Sequence, residues 1–237
     1  MTHSIQQGSI VTNIQTAFFD PQAVAKYTEG PPRFVPGYNA MLSMAAILLG
    51  ERAPSTARIL ALGAGGGLEL KAFAEAHPDW TFDGVDPSAP MLALARQTLG
   101  PFAARAHLHQ GYIDDAPEGP FDGATCLLTL HFVSTEERLR IASEVRRRLR
   151  PNAPFVVAHF SIPGGTDERP LWLSRYSAFL TSAGVAPDKA AAARTAIDNQ
   201  LSILAPTEDE AILHEAGFSG ATLFYTGFTF RGWVAYA

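Results

Sequence analysis

The sequence predicts an α/β fold: a doubly wound, mostly parallel sheet with helices on both faces. Three observations carry this. Between residues 57 and 161, short apolar runs alternate with longer amphipathic stretches, the pattern of buried parallel strands joined by helices. The chain has 237 residues, 47% hydrophobic and 17% charged, which suits one sizeable core and excludes a disordered chain. It ends in two β-rich runs too close together for a helical crossover, so they should pair antiparallel.

Taken in order, residues 1–16 are polar and expected to be weakly ordered. With residues 17–50 they form an expected N-terminal helical cap (1–50). Its first helical piece starts at Asp20, with Pro21 in the first turn. The break GPPRFVPG places three prolines and two glycines in eight residues, a strong interruption. The second piece, YNAMLSMAAILLG, is strongly apolar.

The cofactor-binding part is expected over 51–161. ARILALG (57–63) and WTFDGVD (80–86) read as strands, separated by a helix that Pro78 stops. SAPMLALARQTLG is a helix with Ser88 at its N-cap and Pro90 near the first turn. ARAHLHQGY is a weaker third strand, and 121–132 a fourth. STEERLRIASEVRRRLRP has Ser134 and Glu137 at capping-box spacing, and 153–161 is a fifth strand. Residues 162–206 read as a helical insert, or lid, of roughly two helices. Residues 207–237 hold a last helix, capped at Thr207, and two strands meeting near Arg231 and Gly232.

Charge and cysteine content narrow the function. The net charge is -5, from 18 Lys+Arg against 23 Asp+Glu, which disfavours DNA as a partner. The cluster Arg146, Arg147, Arg148 and Arg150 reads as a solvated helix face. Cys126 is the only cysteine, so no intrachain disulfide forms, and its apolar surroundings mark a core thiol. His107 and His109 are the only close histidine pair and lack further ligands, so no metal site is expected. No signal peptide is visible, and no apolar run reaches the roughly 20 residues needed to span a bilayer. A cytoplasmic protein with no membrane partner is the expectation.

Open α/β sheets bind ligands beyond the C-terminal ends of their strands. The loop Gly63-Ala64-Gly65-Gly66-Gly67 lies there, and glycines permit a tight turn with close approach of backbone to ligand. Asp86 ends the second strand, 23 residues after Gly63, where a carboxylate accepts from both hydroxyls of a ribose. The pair indicates an adenosine-bearing cofactor. The spacing GxGxG, rather than GxGxxG, and the lack of a basic residue after the loop argue against a dinucleotide. His131 and His159 end strands four and five and are the candidate general bases. Tyr27, Tyr38, Tyr112 and Trp172 are candidate pocket aromatics, and Met91 is placed to pack on adenine.

The segments ILALGAGGG, FDGVDPSAPMLALAR, FDGATCLLTLHFV and LHEAGF…FRGWVAYA resemble the class I S-adenosylmethionine-dependent methyltransferases. The resemblance implies a Rossmann-like sheet of seven strands, in order 3-2-1-4-5-7-6, with strand seven antiparallel. It implies S-adenosyl-L-methionine as cofactor and a small-molecule substrate. The implied cofactor contacts are Tyr38, Gly63, Ala64, Gly65, Asp86, Pro87, Met91, Tyr112, Ile113, Leu127 and Arg194.

FVPGYNAMLSMAAILLGER, LTLHF, the helical insert and LHEAGFSGATLFYTGFTF are similar, more narrowly, to the carboxy-S-adenosylmethionine synthases. There an arginine of the insert meets the cofactor carboxylate, at the position of Arg194. Tyr38 matches their aromatic contact. The sequence departs from the pattern at Ala61, where an acidic residue usually precedes the loop, at Tyr112 and at Leu127. Three readings stay open: a small-molecule methyltransferase, a synthase-like enzyme handling carboxy-S-adenosyl-L-methionine, and a cofactor-binding relative without catalysis. The apolar stretch AMLSMAAILLG, with the dimeric state of the resembling synthases, points to a homodimer.

Overall fold

A computed structural model describes residues 14–237. The expectation of weak order for residues 1–13 lies outside the described residues. The chain runs α1 (Pro21–Val24), α2 (Gly30–Phe34), α3 (Tyr38–Gly50), β1 (Arg58–Leu62), α4 (Leu68–Ala76), β2 (Thr81–Asp86), α5 (Ala89–Leu99) and β3 (Ala106–Gln110). It continues through β4 (Gly123–Leu127), α6 (Thr135–Arg148), β5 (Pro154–Phe160), α7 (Glu168–Ser182), α8 (Pro187–Gln200), α9 (Pro206–Glu215), β6 (Ser219–Gly227) and β7 (Phe230–Tyr236).

The sheet has seven strands in the order β3-β2-β1-β4-β5-β7-β6. β1 to β5 pair in parallel, and β7 runs antiparallel to both β5 and β6. This is the expected doubly wound sheet with its antiparallel last strand. The central strands are apolar and buried along almost their whole length, as strands covered on both faces must be. One apolar cluster joins them to α3, α4 and α7; the other joins the opposite face to α6 and α9.

Local signals place several elements. Ser88 caps α5, its hydroxyl accepting from Met91 N at 3.2 Å, and Ser134 caps α6 by accepting from Glu137 N at 3.3 Å. Arg146 to Arg148 lie in the last turn of α6, where cations complement the helix dipole; the expected solvated face fails at Arg148, which is buried and donates to Glu144.

Four further expectations need correction. The GPPRFVPG break holds the short helix α2, because Pro31 and Pro32 fall at its start, where a missing N–H costs nothing. The fourth strand stops at Leu127 instead of running to Phe132: Leu128 takes φ 58°, and a 3-10 turn, Leu130–Phe132, follows. α9 starts at Pro206, with Ala205 as the N-cap residue rather than Thr207. The β6–β7 turn lies at Phe228 and Thr229, not at Arg231 and Gly232, and Phe228 adopts φ 49° to make it.

The N-terminal segment and the insert hold each other. The Tyr176 hydroxyl of α7 donates to Phe34 O at 3.0 Å, Arg33 Nε donates to Ala183 O at 2.7 Å, and Ile14 N donates to the Gln200 side chain at 2.8 Å. Among the described residues, no helix is long and apolar enough to cross a membrane.

Candidate active site

The site begins where β1 ends. Gly63 N and Ala64 N both donate to Val85 O, at 2.8 and 3.0 Å, binding the loop to β2. Gly63 has φ +75°, and a Cβ there would collide with the Thr129 hydroxyl. Gly65 has φ +49°, and its Cβ would point between Met91 Cε and the Tyr27 hydroxyl, at 3.4 and 3.5 Å. At both positions the positive φ disfavours any residue but glycine.

Asp86 closes β2 beside this loop. One carboxylate oxygen accepts from Gly65 N and the other from Ser88 N, each at 2.9 Å. These bonds fix the plane of the carboxylate and leave lone pairs on both oxygens for further donors. Burial raises its pKa above the usual aspartate range, and the two backbone bonds act the other way.

Beyond the strand ends lies a cavity of ≈ 390 Å³, within the size range of small-molecule sites. Its floor is the glycine loop with Asp86, Pro87 and Met91; Tyr112, Ile113 and Leu127 complete one side. These are eight of the residues marked in the sequence: Gly63, Gly65, Asp86, Pro87, Met91, Tyr112, Ile113 and Leu127. Tyr112 is 64% exposed and stands at the rim. Phe18, Tyr27 and Phe132 cover the cavity; Phe18 meets the other two rings edge-on, at 6.1 and 5.4 Å. The Ser88 hydroxyl fastens this cover by donating to Phe18 O.

Other marked residues stand apart. Ala64 is buried behind the loop, and Tyr38 is buried at the start of α3. Arg194 is half-buried on α8 and does not line the cavity. His131 does not end a strand; it sits on the 3-10 turn, 4% exposed, with its Nδ1 accepting from Phe160 N at 3.3 Å. Burial, with His159 and Arg138 nearby, holds its pKa well below the ordinary histidine range, so the ring is neutral near pH 7. His159 points to the α6/α9 face, its Nε2 3.0 Å from Asp209 Oδ1. Asp209 also accepts from Arg138 Nη1 at 2.7 Å, and Arg138 donates on to Ser202 O. Neither imidazole lines the cavity.

Sequence reasoning passed over Glu69. This first-turn residue of α4 is 6% exposed, and its Oε1 accepts from the Thr125 hydroxyl at 2.7 Å. Burial pushes its pKa up to about 8; the Thr125 bond lowers it and the nearby Asp86 charge adds to the rise. The available signal was a lone acidic residue between Leu68 and Leu70 directly after the glycine loop. Phe18 and Phe132 carried no such signal, because an aromatic in an apolar run usually means core.

Fold and site together point to a class: residues 59–152 match a family described as methyltransferase domain, and the chain has the fold of the S-adenosylmethionine-dependent methyltransferases. Its narrower likeness runs over nearly the whole chain. It is 28% identical over 225 residues to the carboxy-S-adenosyl-L-methionine synthase of Chromohalobacter salexigens, covering 92% of this chain and 82% of that protein. Among solved structures, phosphoethanolamine N-methyltransferase 2 of Haemonchus contortus, in complex with S-adenosyl-L-methionine, superposes with TM-score 0.66 at 14% identity, over 92% of this chain and 57% of that one. Human N-acetylserotonin methyltransferase, also in complex with the cofactor, gives TM-score 0.63 at 15% identity, over 95% and 59%. Both neighbours bear on the fold.

Proposed function

We propose that the protein uses S-adenosyl-L-methionine to methylate a small molecule. The observation that carries this is the Asp86 carboxylate, oriented by Gly65 N and Ser88 N at the floor of a mostly apolar cavity. That pair of carboxylate acceptors suits a ribose diol, the open glycine loop suits the cofactor backbone, and Met91 with Ile113 suits an adenine face. When bound, the cofactor supplies an electrophilic methyl group on a sulfonium centre.

The chain's own residues orient and desolvate the partners. Asp86 fixes the ribose end. Phe18, Tyr27 and Phe132 exclude water from above, and the insert over 162–206 holds that N-terminal cover in place. His131 and His159 lie outside the cavity, so neither serves as an imidazole base, which favours an acceptor that needs no proton removed by one. Calorimetry with S-adenosylhomocysteine tests the reading: one site of micromolar affinity supports it, and absence of binding overturns it.

A second reading has a specific observation behind it, the full-length similarity to carboxy-S-adenosyl-L-methionine synthases. It requires a group in the cavity that grips a carboxylate, and Arg194 does not line the cavity. We therefore favour the ordinary cofactor. We also propose a cytoplasmic homodimer joined through α3, where Ile47 is 64% exposed; a monomeric mass by light scattering at micromolar concentration would remove the dimer.

A further inference from the structure

Three arginines are buried among the described residues, and they divide by what neutralises them. Arg138 is 1% exposed and meets Asp209 at 2.7 Å; Arg148 is 2% exposed and pairs with Glu144. Arg231 is 7% exposed and, among the described residues, pairs with no carboxylate. Burial lowers the pKa of both Arg138 and Arg231; the Asp209 charge acts against this at Arg138, and at Arg231 burial stands alone. A buried cation without a counter-charge is costly, and an anionic ligand would remove that cost.

The fold leaves one edge of this guanidinium open. Arg231 is the second residue of β7, opposite His159 near the end of β5. Its Nη1 donates to backbone carbonyls, Phe228 O at 2.8 Å and Phe230 O at 3.2 Å. Nε and Nη2, which form the side-on pair of donors, meet no protein acceptor among the described residues, and neither is sealed from solvent. The guanidinium carbon stands 5.5 Å from the Trp172 ring centroid, and that of the exposed Arg175 stands 4.6 Å from the same centroid. Trp172 Nε1 donates to Glu168 Oε2 at 2.8 Å, one turn earlier on α7, which orients the indole. An indole attracts each cation, but two guanidinium groups brought to one ring repel each other. Phe228, 39% exposed at the β6–β7 turn, adds an apolar border.

We propose that Arg231, Arg175 and Trp172 form a binding site for a small organic carboxylate, separate from the cofactor cavity. The Nε–Nη2 edge of Arg231 matches the two oxygens of a carboxylate through parallel hydrogen bonds. Arg175 adds a second charge, and the indole with Phe228 suits an apolar body behind the carboxylate. The site lies at the cavity end of the sheet, but β7 is three strands from β1, roughly 14 Å at the usual strand spacing. None of the three residues lines the cavity. A ligand here would tie α7 of the insert to β7 and leave the floor around Asp86 free, whatever the cavity itself binds.

Calorimetric titration with benzoate, set against neutral benzamide and inorganic phosphate, tests this. Wild type should bind one benzoate, more tightly than phosphate, and leave benzamide unbound, whether or not S-adenosylhomocysteine is present. Arg231→Lys keeps the charge but loses the fork and should weaken benzoate by at least about tenfold; Arg175→Ala, at an exposed position, should weaken it by at least about threefold. Wild type that binds no benzoate at millimolar concentration overturns the site. Benzoate binding that both variants leave unchanged, or that S-adenosylhomocysteine displaces, lies elsewhere and overturns it equally. Phosphate bound as tightly as benzoate overturns the carboxylate as the recognised group. If Arg231→Lys fails to fold, Arg175→Ala decides together with the Trp172 indole N–H resonance of wild type, which benzoate should shift; a resonance that benzoate leaves in place overturns the site.

Discussion

Two polar clusters sit near the same end of the sheet and are built on opposite plans. Around Asp86 a carboxylate is held by backbone N–H groups and opens on a cavity. Around Asp209 a carboxylate is held by Arg138 and His159, all three at most 4% exposed. The first cluster has spare acceptor capacity facing outward. The second spends its charge internally, although Asp209 Oδ2, His159 Nδ1 and Arg138 Nε find no protein partner among the described residues. Open acceptors beside a cavity are available to a ligand; charges paired with one another in the interior form a clamp, here joining α6, β5 and α9.

The contrast predicts the largest effect at the clamp. Asp209→Ala would leave Arg138 buried without its counter-charge, and removing one partner of a buried pair typically costs about 3–5 kcal/mol. Denaturant unfolding should show that loss, and the protein that remains folded should bind S-adenosylhomocysteine normally. Loss of affinity in folded protein would merge the two clusters into one functional unit.

Glu69 belongs to neither plan, and pH exposes it. Its carboxyl titrates near 8 in the folded protein against 4.5 as the ordinary value. The folded state therefore holds the proton more tightly than the unfolded state. Its contribution to stability is complete below about pH 4.5 and is lost as pH rises through about 8. Glu69→Gln removes this dependence, so the variant should gain on wild type steadily across that window, reaching on the order of 2–4 kcal/mol by pH 9. Melting temperatures at pH 5, 7 and 9 give the comparison; parallel curves would show that Glu69 is not protonated in the fold.

Smaller still is the expected change at Asp86. Asp86→Ala should weaken S-adenosylhomocysteine by about 1.5–3 kcal/mol, roughly ten- to hundred-fold, with little loss of stability. An unchanged dissociation constant in a folded variant would take Asp86 out of the site.

The two clusters also differ in how far the sequence disclosed them. Gly63, Gly65 and Asp86 lie within one β-α-β unit, and their geometry follows from a turn and a strand end. Their placement at one end of the sheet was legible because a glycine turn and a strand end at that spacing fix it locally. The clamp joins residues 138, 159 and 209, and no short pattern relates them. His131 reads as a strand-end base only if the fourth strand runs through Phe132, but the left-handed Leu128 turns the chain away after five residues of that strand; His159 does lie near the end of β5, yet its ring meets Asp209 of α9 instead of the cavity. Glu69 sat inside a legible helix, but its hydrogen-bond partner Thr125 lies on β4, a contact that local pattern does not fix.

The smallest expected effect concerns Arg194, and its smallness is the point. A guanidinium grips a carboxylate through two parallel hydrogen bonds, and losing such a grip in a binding site costs at least about 2 kcal/mol. Such a loss requires the arginine to reach the ligand. Arg194 is half-buried on α8, and the cavity is lined by the glycine loop, the β2 and β4 ends and the N-terminal aromatics. Arg194→Ala should therefore leave the affinities for S-adenosylmethionine and for its carboxylated form within about twofold of wild type. Titrating both proteins with both cofactors gives four constants. A selective loss for the carboxylated form would mean that α8 moves onto the cavity when ligand binds, and would favour the synthase-like reading over the ordinary methyltransferase. Equal constants would leave the similarity to the synthases as a matter of shared architecture, with the carboxylate-gripping role not used by this chain.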